Sequence, residues 1–295
     1  MIPFVRDMEF EYGKSARVSR LVRRVVARNP SPFTYHGTGT LIVGRGNVAV
    51  VDPGPDMPEH VEAILGAVAG ERVTHIFVTH SHRDHSPAAA ALKARTGAPI
   101  YGFGPVLTPG AGGVEEGIEQ GFEPDVRLAD GDSVAGDGWS LEALYTPGHI
   151  SNHLCYALPE EDAVITGDHV MGWSTTVVIP PDGDMAAYMA SLDRLLARDD
   201  AILYPAHGPA ITAPRPFLLA LAAHRRARER QILDQLAKAP AEIPAIVAAL
   251  YADIARTLHK AAGRSVLAHL IDLERRGIVA RRPGSDADGE FRLQA

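Results

Sequence analysis

Residues 73–85 read Val73-Thr74-His75-Ile76-Phe77-Val78-Thr79-His80-Ser81-His82-Arg83-Asp84-His85. The first half, Val73–Thr79, is apolar and β-branched and predicts a buried strand. The second half places three histidines and one aspartate within six positions at that strand's end. A solvated polar loop explains such a density badly, and a metal site explains it well. Alternate residues of an extended segment project to one side, so His80 and His82 can grip one ion together. Asp84 and His85, at the turn into the next helix, can face a second ion beside it.

Three later strand exits also carry His or Asp: Thr146-Pro147-Gly148-His149, Thr166-Gly167-Asp168-His169 and Pro205-Ala206-His207-Gly208. Loops at strand ends gather functional side chains on a rigid scaffold. His149 or His207 alone would read as decoration and Asp168 as a turn residue; the upstream cluster makes them candidate ligands. Asp52 reads as a turn cap or as a carboxylate behind a ligating histidine. His153 and His169 could stand behind ligands in the same way. His75 reads as a core histidine and Cys155 as a small buried hydrophobe.

Around these loops, strands are expected at 18–27, 40–43, 48–51, 99–101, 126–128, 140–145, 153–157, 163–166 and 201–204. The Gly44-Arg45-Gly46-Asn47 turn makes a hairpin of the second and third. Helices are expected at 60–68, 88–95 and 185–197. After Pro214 and Pro216 the pattern turns helical, at 217–237, 244–251, near 254–260 and at 264–276. Two short strands, 278–282 and 290–293, flank a Gly/Asp turn and read as a wing after a helix-turn-helix. Strands alternating with helices, then a helical tail, predict an α/β body over residues 1–212 and a small domain over 213–295.

With 295 residues, 46% hydrophobic and 22% charged, the composition is that of an ordinary globular chain. No run approaches the roughly 20 apolar residues of a membrane span. The N-terminus lacks a basic segment followed by an apolar run, so no secretory signal is expected. A single cysteine, Cys155, cannot close an intramolecular disulfide, and a reducing cytoplasm is the expected compartment. The net charge of −7 argues against a simple basic nucleic-acid binder, yet it is unevenly spread. Residues 213–295 hold 14 Lys/Arg against 9 Asp/Glu, and residues 1–212 hold 15 against 27. The run Arg225, Arg226, Arg228, Arg230 is either a solvated helix face or, with Arg264, Arg275, Arg281 and Arg282, a surface for single-stranded RNA.

The segment Thr79–His85 resembles the signature of the metallo-β-lactamase superfamily, with His149, Asp168 and His207 following in that family's order. The resemblance covers roughly residues 18–212 and implies a four-layer αββα sandwich with metals at one edge of two sheets. It implies that His80, His82 and His149 hold one ion, that Asp84, His85 and His207 hold another, and that Asp168 bridges them. A closer resemblance, through Asn29–Tyr35, Gly167–Gly172 and His224–Glu229, is to the β-lactamase-like protein 2 subfamily, which appends a winged-helix-like domain. Its animal member is described as an endoribonuclease on single-stranded RNA. This chain carries Ser86-Pro87-Ala88 where those relatives usually carry Ser-Gly-Gly. Two branches are disfavoured. True β-lactamases lack a bridging aspartate at the Asp168 position. The long-chain nucleases insert a domain between it and the last histidine, which here are 39 positions apart.

Five neutral histidines and two carboxylates around two divalent ions leave a formal surplus of positive charge. That suits a substrate that becomes an oxyanion. Two metals about 3.5–4 Å apart can bring the pKa of a shared water to about 7 and polarise the attacked centre, so the class is hydrolysis by a metal-bridging hydroxide. Asp84 and Asp168 are the expected catalytic carboxylates. With N and O ligands zinc is the default, and manganese or iron also fits. RNA is the first expected substrate, from the basic tail. A small thioester of the glyoxalase II kind is the alternative, since its ligand set would look the same. The tail could instead pair two copies as a homodimer. The segment Trp173–Asp184 is long enough to overhang the metals.

Overall fold

Side-chain alternation along the strands sorts the chain into layers. The computed structural model describes residues 1–108, 117–252, 256–282 and 289–294. One sheet runs, in order, β1 (Ser15–Arg17), β2 (Val22–Val26), β3 (Gly39–Arg45), β4 (Asn47–Val51), β5 (Arg72–Phe77), β6 (Ile100–Gly102) and β7 (Val126–Arg127). The second holds β8 (Ser133–Ala135), β9 (Ser140–Tyr145), β10 (Leu154–Leu158), β11 (Ala163–Gly167) and β12 (Ile202–Pro205), with β12 beside β11 at one edge. Leu41, Val43, Ala49 and Val51 of the first sheet meet Leu154, Tyr156, Leu158 and Ile165 of the second in a shared core. Their sequence neighbours point the other way: Ile42, Val48 and Val50 to one outer face, Cys155, Ala157 and Val164 to the other. This is the two-residue period of a strand. Because both faces are covered, the strands read as nearly continuous apolar runs.

The helices α1 (Pro58–Ala67) and α2 (Ala88–Thr96) cover the first sheet through Ile64 and Leu92. The helix α3 (Met185–Leu196) and the first half of α4 (Pro214–Leu236) cover the second. The expected four-layer sandwich is present. β4, β5 and β6 are parallel, with α1 and α2 as crossovers, and β11 and β12 are parallel through α3. Parallel strands bring their carboxyl ends to one rim, where ligand-binding loops gather in such sheets. There Thr79 O accepts from Leu154 N at 2.8 Å and Val78 O from the Tyr156 hydroxyl at 2.7 Å, tying the two sheets together.

Helix α4, 23 residues and about 34 Å long, belongs to two cores. Phe217, Leu218 and Leu221 pack on the second sheet. Ile232 and Leu236 join a separate core with α5 (Ile243–Leu250), α6 (His259–Arg275) and the antiparallel pair β13 (Val279–Arg281) and β14 (Phe291–Leu293). This is a mostly helical C-terminal domain with a two-stranded wing. The Gly/Asp turn at 283–288, and the start of the piece expected near 254, lie outside the described residues.

Several element bounds differ from expectation. Residues 18–27 are not one strand, because Val18 N and Ser19 N both bond Val22 O and turn the chain between β1 and β2. β8 carried no apolar signal, its outer residues being exposed. α4 starts three residues early, since Pro214 and Pro216 sit in the first turn, where a missing N–H costs no helical bond. α6 starts at His259 and runs through Gly263, where a Cβ would approach Ile243 at 3.4 Å.

Candidate metal centre

All seven expected ligand residues meet at the rim. His80, His82, Asp84 and His85 follow β5, His149 follows β9, Asp168 follows β11 and His207 follows β12. Ligand atoms of His80, His82, His149 and Asp168 lie within 4.8 Å of one another, and those of Asp84, His85 and His207 form a second such group. Asp168 faces both groups. Its Oδ1 is 3.2 Å from His207 Nε2 and 3.5 Å from His85 Nε2, and its Oδ2 is 3.8 Å from His149 Nε2. Asp84 Oδ2 lies 3.1 Å from His207 Nε2 and 3.3 Å from His85 Nε2.

The hydrogen bonds behind the rings assign the tautomers. His149 Nδ1 donates to Val177 O at 2.7 Å, and His207 Nδ1 faces Gly37 O at 3.3 Å. His85 Nδ1 donates to Asp52 Oδ2 at 3.0 Å. The Thr79 hydroxyl gives its proton to Asp52 Oδ2 at 2.8 Å, so it accepts from His80 Nδ1 at 2.9 Å. With Nδ1 turned outward, all four rings present Nε2 to the centre. In the first group His80 Nε2 and His149 Nε2 both confront His82 Nδ1, at 2.9 and 3.0 Å. In the second, the buried atoms His85 Nε2 and Asp168 Oδ1 make no hydrogen bond. Ring nitrogens and carboxylate oxygens crowded into so small a volume, with their other donors held from behind, fit divalent ions.

Electrostatics separates the two groups. Burial holds His80 and His149 below the usual imidazole range and takes His82 down to about 3. The first group therefore offers neutral nitrogens, the ligand form. Burial also opposes charge on His207, but Asp168 and Asp84 outweigh it and push the pKa up to about 10. His85 is raised by the same carboxylates, again against burial. Both carboxyls stay well below their ordinary range, against their burial, because His85 and His207 face them. The second group thus demands a positive charge, which a cation would supply in place of protons.

The supporting residues are equally specific. Asp52 accepts from Thr79 N at 2.7 Å as well as from the Thr79 hydroxyl and His85, so it stands behind two ligands. His153 Nε2 accepts from Asp168 N at 3.2 Å, while its Nδ1 lies 2.9 Å from Thr146 Oγ1. His169 is buried against the Tyr188 ring. His75 bonds Thr74 Oγ1 at 2.9 Å among Phe77, Tyr101 and Trp139, and the buried Cys155 thiol is pushed up to about 12 by burial. Neither takes part in the centre. Two glycines let the ligand loops close. A Cβ on Gly148 (φ +134°) would lie 2.3 Å from the Tyr188 backbone, and one on Gly167 (φ +48°) 2.7 Å from His153 Nε2. The Val177 and Gly37 carbonyls and the Thr38 hydroxyl, 3.3 Å from Asp84 Oδ2, were not foreseen. A carbonyl carries no side-chain signal.

Beside His82 and His149 a small cavity is walled by Ile118, Ile150, Ile179 and Gly183, with Asp182 at its edge. The Asp182 carboxylate accepts from Ser151 N at 2.7 Å. The tail's arginines are largely engaged within the protein. Arg225 is buried, donates to Thr176 O and lies over Tyr188, so the solvated and RNA-facing readings both fail for it. Arg228 donates to Leu250 O at 3.2 Å and covers Tyr251. Arg226 lies 3.5 Å from Asp193, Arg275 pairs with Asp184, Arg276 with Glu229 and Arg281 with Glu274.

A double-sheet sandwich that brings two His/Asp clusters to one rim defines a metal-dependent hydrolase. The description "Metallo-beta-lactamase superfamily" matches residues 34–207, and "Beta-lactamase associated winged helix domain" matches residues 243–287. The chain belongs to the metallo-beta-lactamase superfamily. A "Beta-lactamase-like protein 2 homolog" of Caenorhabditis elegans is 32% identical over 89% of this chain and 87% of its own length. The "Lactamase-like protein adaB" of Aspergillus niger is 30% identical over 83% of this chain and 76% of its own. The "Atrochrysone carboxyl ACP thioesterase AgnL7" of Paecilomyces divaricatus is 32% identical over 75% of this chain and 66% of its own. A beta-lactamase domain protein from Burkholderia ambifaria shares the fold at a TM-score of 0.82, 22% identity, and 99% and 96% coverage of the two chains. Among the described residues no helix is long and apolar enough to cross a membrane.

Proposed function

We propose that this hydrolase cleaves thioesters. His80, His82, His149 and Asp168 hold one divalent ion and Asp84, His85 and His207 the other, with Asp168 between them; zinc is the first choice of metal. Bound ions of this kind activate a water and polarise the attacked carbonyl. Asp84 and Asp168, both ionised, are the catalytic carboxylates that set the centre's charge. The carrying observation is that two relatives at 30–32% identity bear the name atrochrysone carboxyl ACP thioesterase. Among the described residues the small hollow beside His82 and His149 is lined by Ile118, Ile150, Ile179, Asp182 and Gly183, with no Lys or Arg there to meet a phosphate. The chemistry agrees. All seven side chains are committed to the centre, and a thiolate, from a thiol of pKa about 8.5, leaves without a proton donor.

RNA cleavage, the first expectation from the tail's charge, has less support, because Arg225, Arg228 and Arg281 bond within the protein. The likeness to the C. elegans homolog supports assignment to the β-lactamase-like protein 2 group. We further assign catalysis to residues 1–212, a supporting role to residues 213–295, and the cytoplasm as the compartment. Metal-reconstituted protein should release free thiol from acyl-pantetheine thioesters and leave a 5′-labelled single-stranded oligoribonucleotide intact. Cleavage of the RNA with no thiol release would reverse the choice.

A further inference from the structure

Arg225 of α4, 4% exposed, joins the tail's leading helix to the loop that follows Asp168. Its Nη2 donates to the main-chain carbonyl of Thr176, and its guanidinium carbon lies 5.0 Å from the centre of the Tyr188 ring. The hydroxyl of Thr176 reaches the carbonyl oxygens of Asp168 at 2.7 Å and His169 at 3.1 Å. The next residue, Val177, offers the carbonyl that fixes His149 Nδ1 at 2.7 Å. Arg225 therefore grips the peptide between the residue that braces Asp168 and the residue that orients His149. A charged donor on a buried carbonyl makes one of the stronger hydrogen bonds. At the far end of the same loop Arg275 of α6 pairs with Asp184, the cap of α3. That second strut is exposed and correspondingly weak.

We propose that Arg225 is a positioning residue of the metal centre. Through the Thr176–Val177 peptide Arg225 sets two ligands, His149 and Asp168, that its own contacts do not include. The inference rests on the ligand assignment above and is independent of the substrate. Residues that orient ligands from behind typically change metal affinity 10–100-fold when lost, and Arg225 acts one bond further out through a rigid peptide.

The test is a zinc titration of metal-stripped, full-length protein against a chromogenic chelator. Arg225→Met and Thr176→Val should each weaken one of two ions about tenfold or more, and Arg225→Lys, which keeps a cationic donor, should recover part of the loss. Thr176→Val keeps Arg225 in place and serves if Arg225→Met does not fold. Arg228→Met, on the same helix but bonded to Leu250 O, should lower thermal stability and leave both ions alone. Wild-type zinc affinity in Arg225→Met and Thr176→Val, with an ion lost in His149→Ala, would overturn the proposal. So would an equal loss in Arg228→Met. A wild-type chain that binds fewer than two ions would sink the ligand assignment itself, and the inference with it.

Discussion

The loop at 79–85 and the helical run at 224–230 are both dense in chemically active side chains, yet they end in opposite situations. In the loop, backbone that is extended and then turned aims His80, His82, Asp84 and His85 at one small volume. On the helix each residue is rotated about 100° from the last, so neighbouring arginines part company. Arg225 goes inward to Thr176 O, Arg226 outward to Asp193, and Arg228 to Leu250 O and the Tyr251 ring. Density of one residue type signals a site where the backbone converges, and only a count where it rotates.

The largest way to break this contrast is Asp168→Ala, which removes the carboxylate facing both groups. Occupancy, measured by elemental analysis of reconstituted protein, should fall from about two ions per chain, and hydrolysis should be abolished. Two tightly bound ions in that variant would mean that the clusters do not share Asp168. Truncation after residue 212 should come next. It strips Phe217, Leu218 and Leu221 from the core of the second sheet, at roughly 1.5–3 kcal/mol for each buried side chain. The shortened body should be insoluble or unfolded in a denaturant titration; a stable, metal-binding fragment would make α4 an ornament.

Acid sharpens the comparison further. Burial lowers His60 in the body to about 4 and His269 in the tail to about 3. Below about pH 6.5 the unfolded chain takes up protons that these folded sites refuse. Stability is therefore full above that pH and lost as pH falls towards 4, by on the order of a few kcal/mol. The chemical-denaturation midpoint of wild-type protein should drop over that window, and His269→Leu should drop less. Equal slopes would remove His269 from the account. Arg275→Met should have the smallest effect, about 1 kcal/mol or less, because its pair with Asp184 is exposed on the arginine side. A large loss of thermal stability there would mean that the outer strut matters as much as Arg225.

What the sequence determined by itself is the part in which neighbours in the chain are neighbours in space. The strand ending at Phe77, the histidines and aspartate after it, the alternation that layers Leu41 against Ile42, and the helices of the tail all follow from periods of two and 3.6 residues. The distant partners His149, Asp168 and His207 were legible because each also stands at a strand exit, and parallel strands bring their exits to one rim. What only the tertiary structure decided is what faces what across the chain. The Val177 carbonyl behind His149, the Gly37 carbonyl behind His207 and the inward turn of Arg225 have no local cause. A carbonyl is common to every residue, and an arginine's direction on a helix is chosen by the surface it meets. Charge could be counted from the chain, but its use was set by burial, which no stretch of sequence contains.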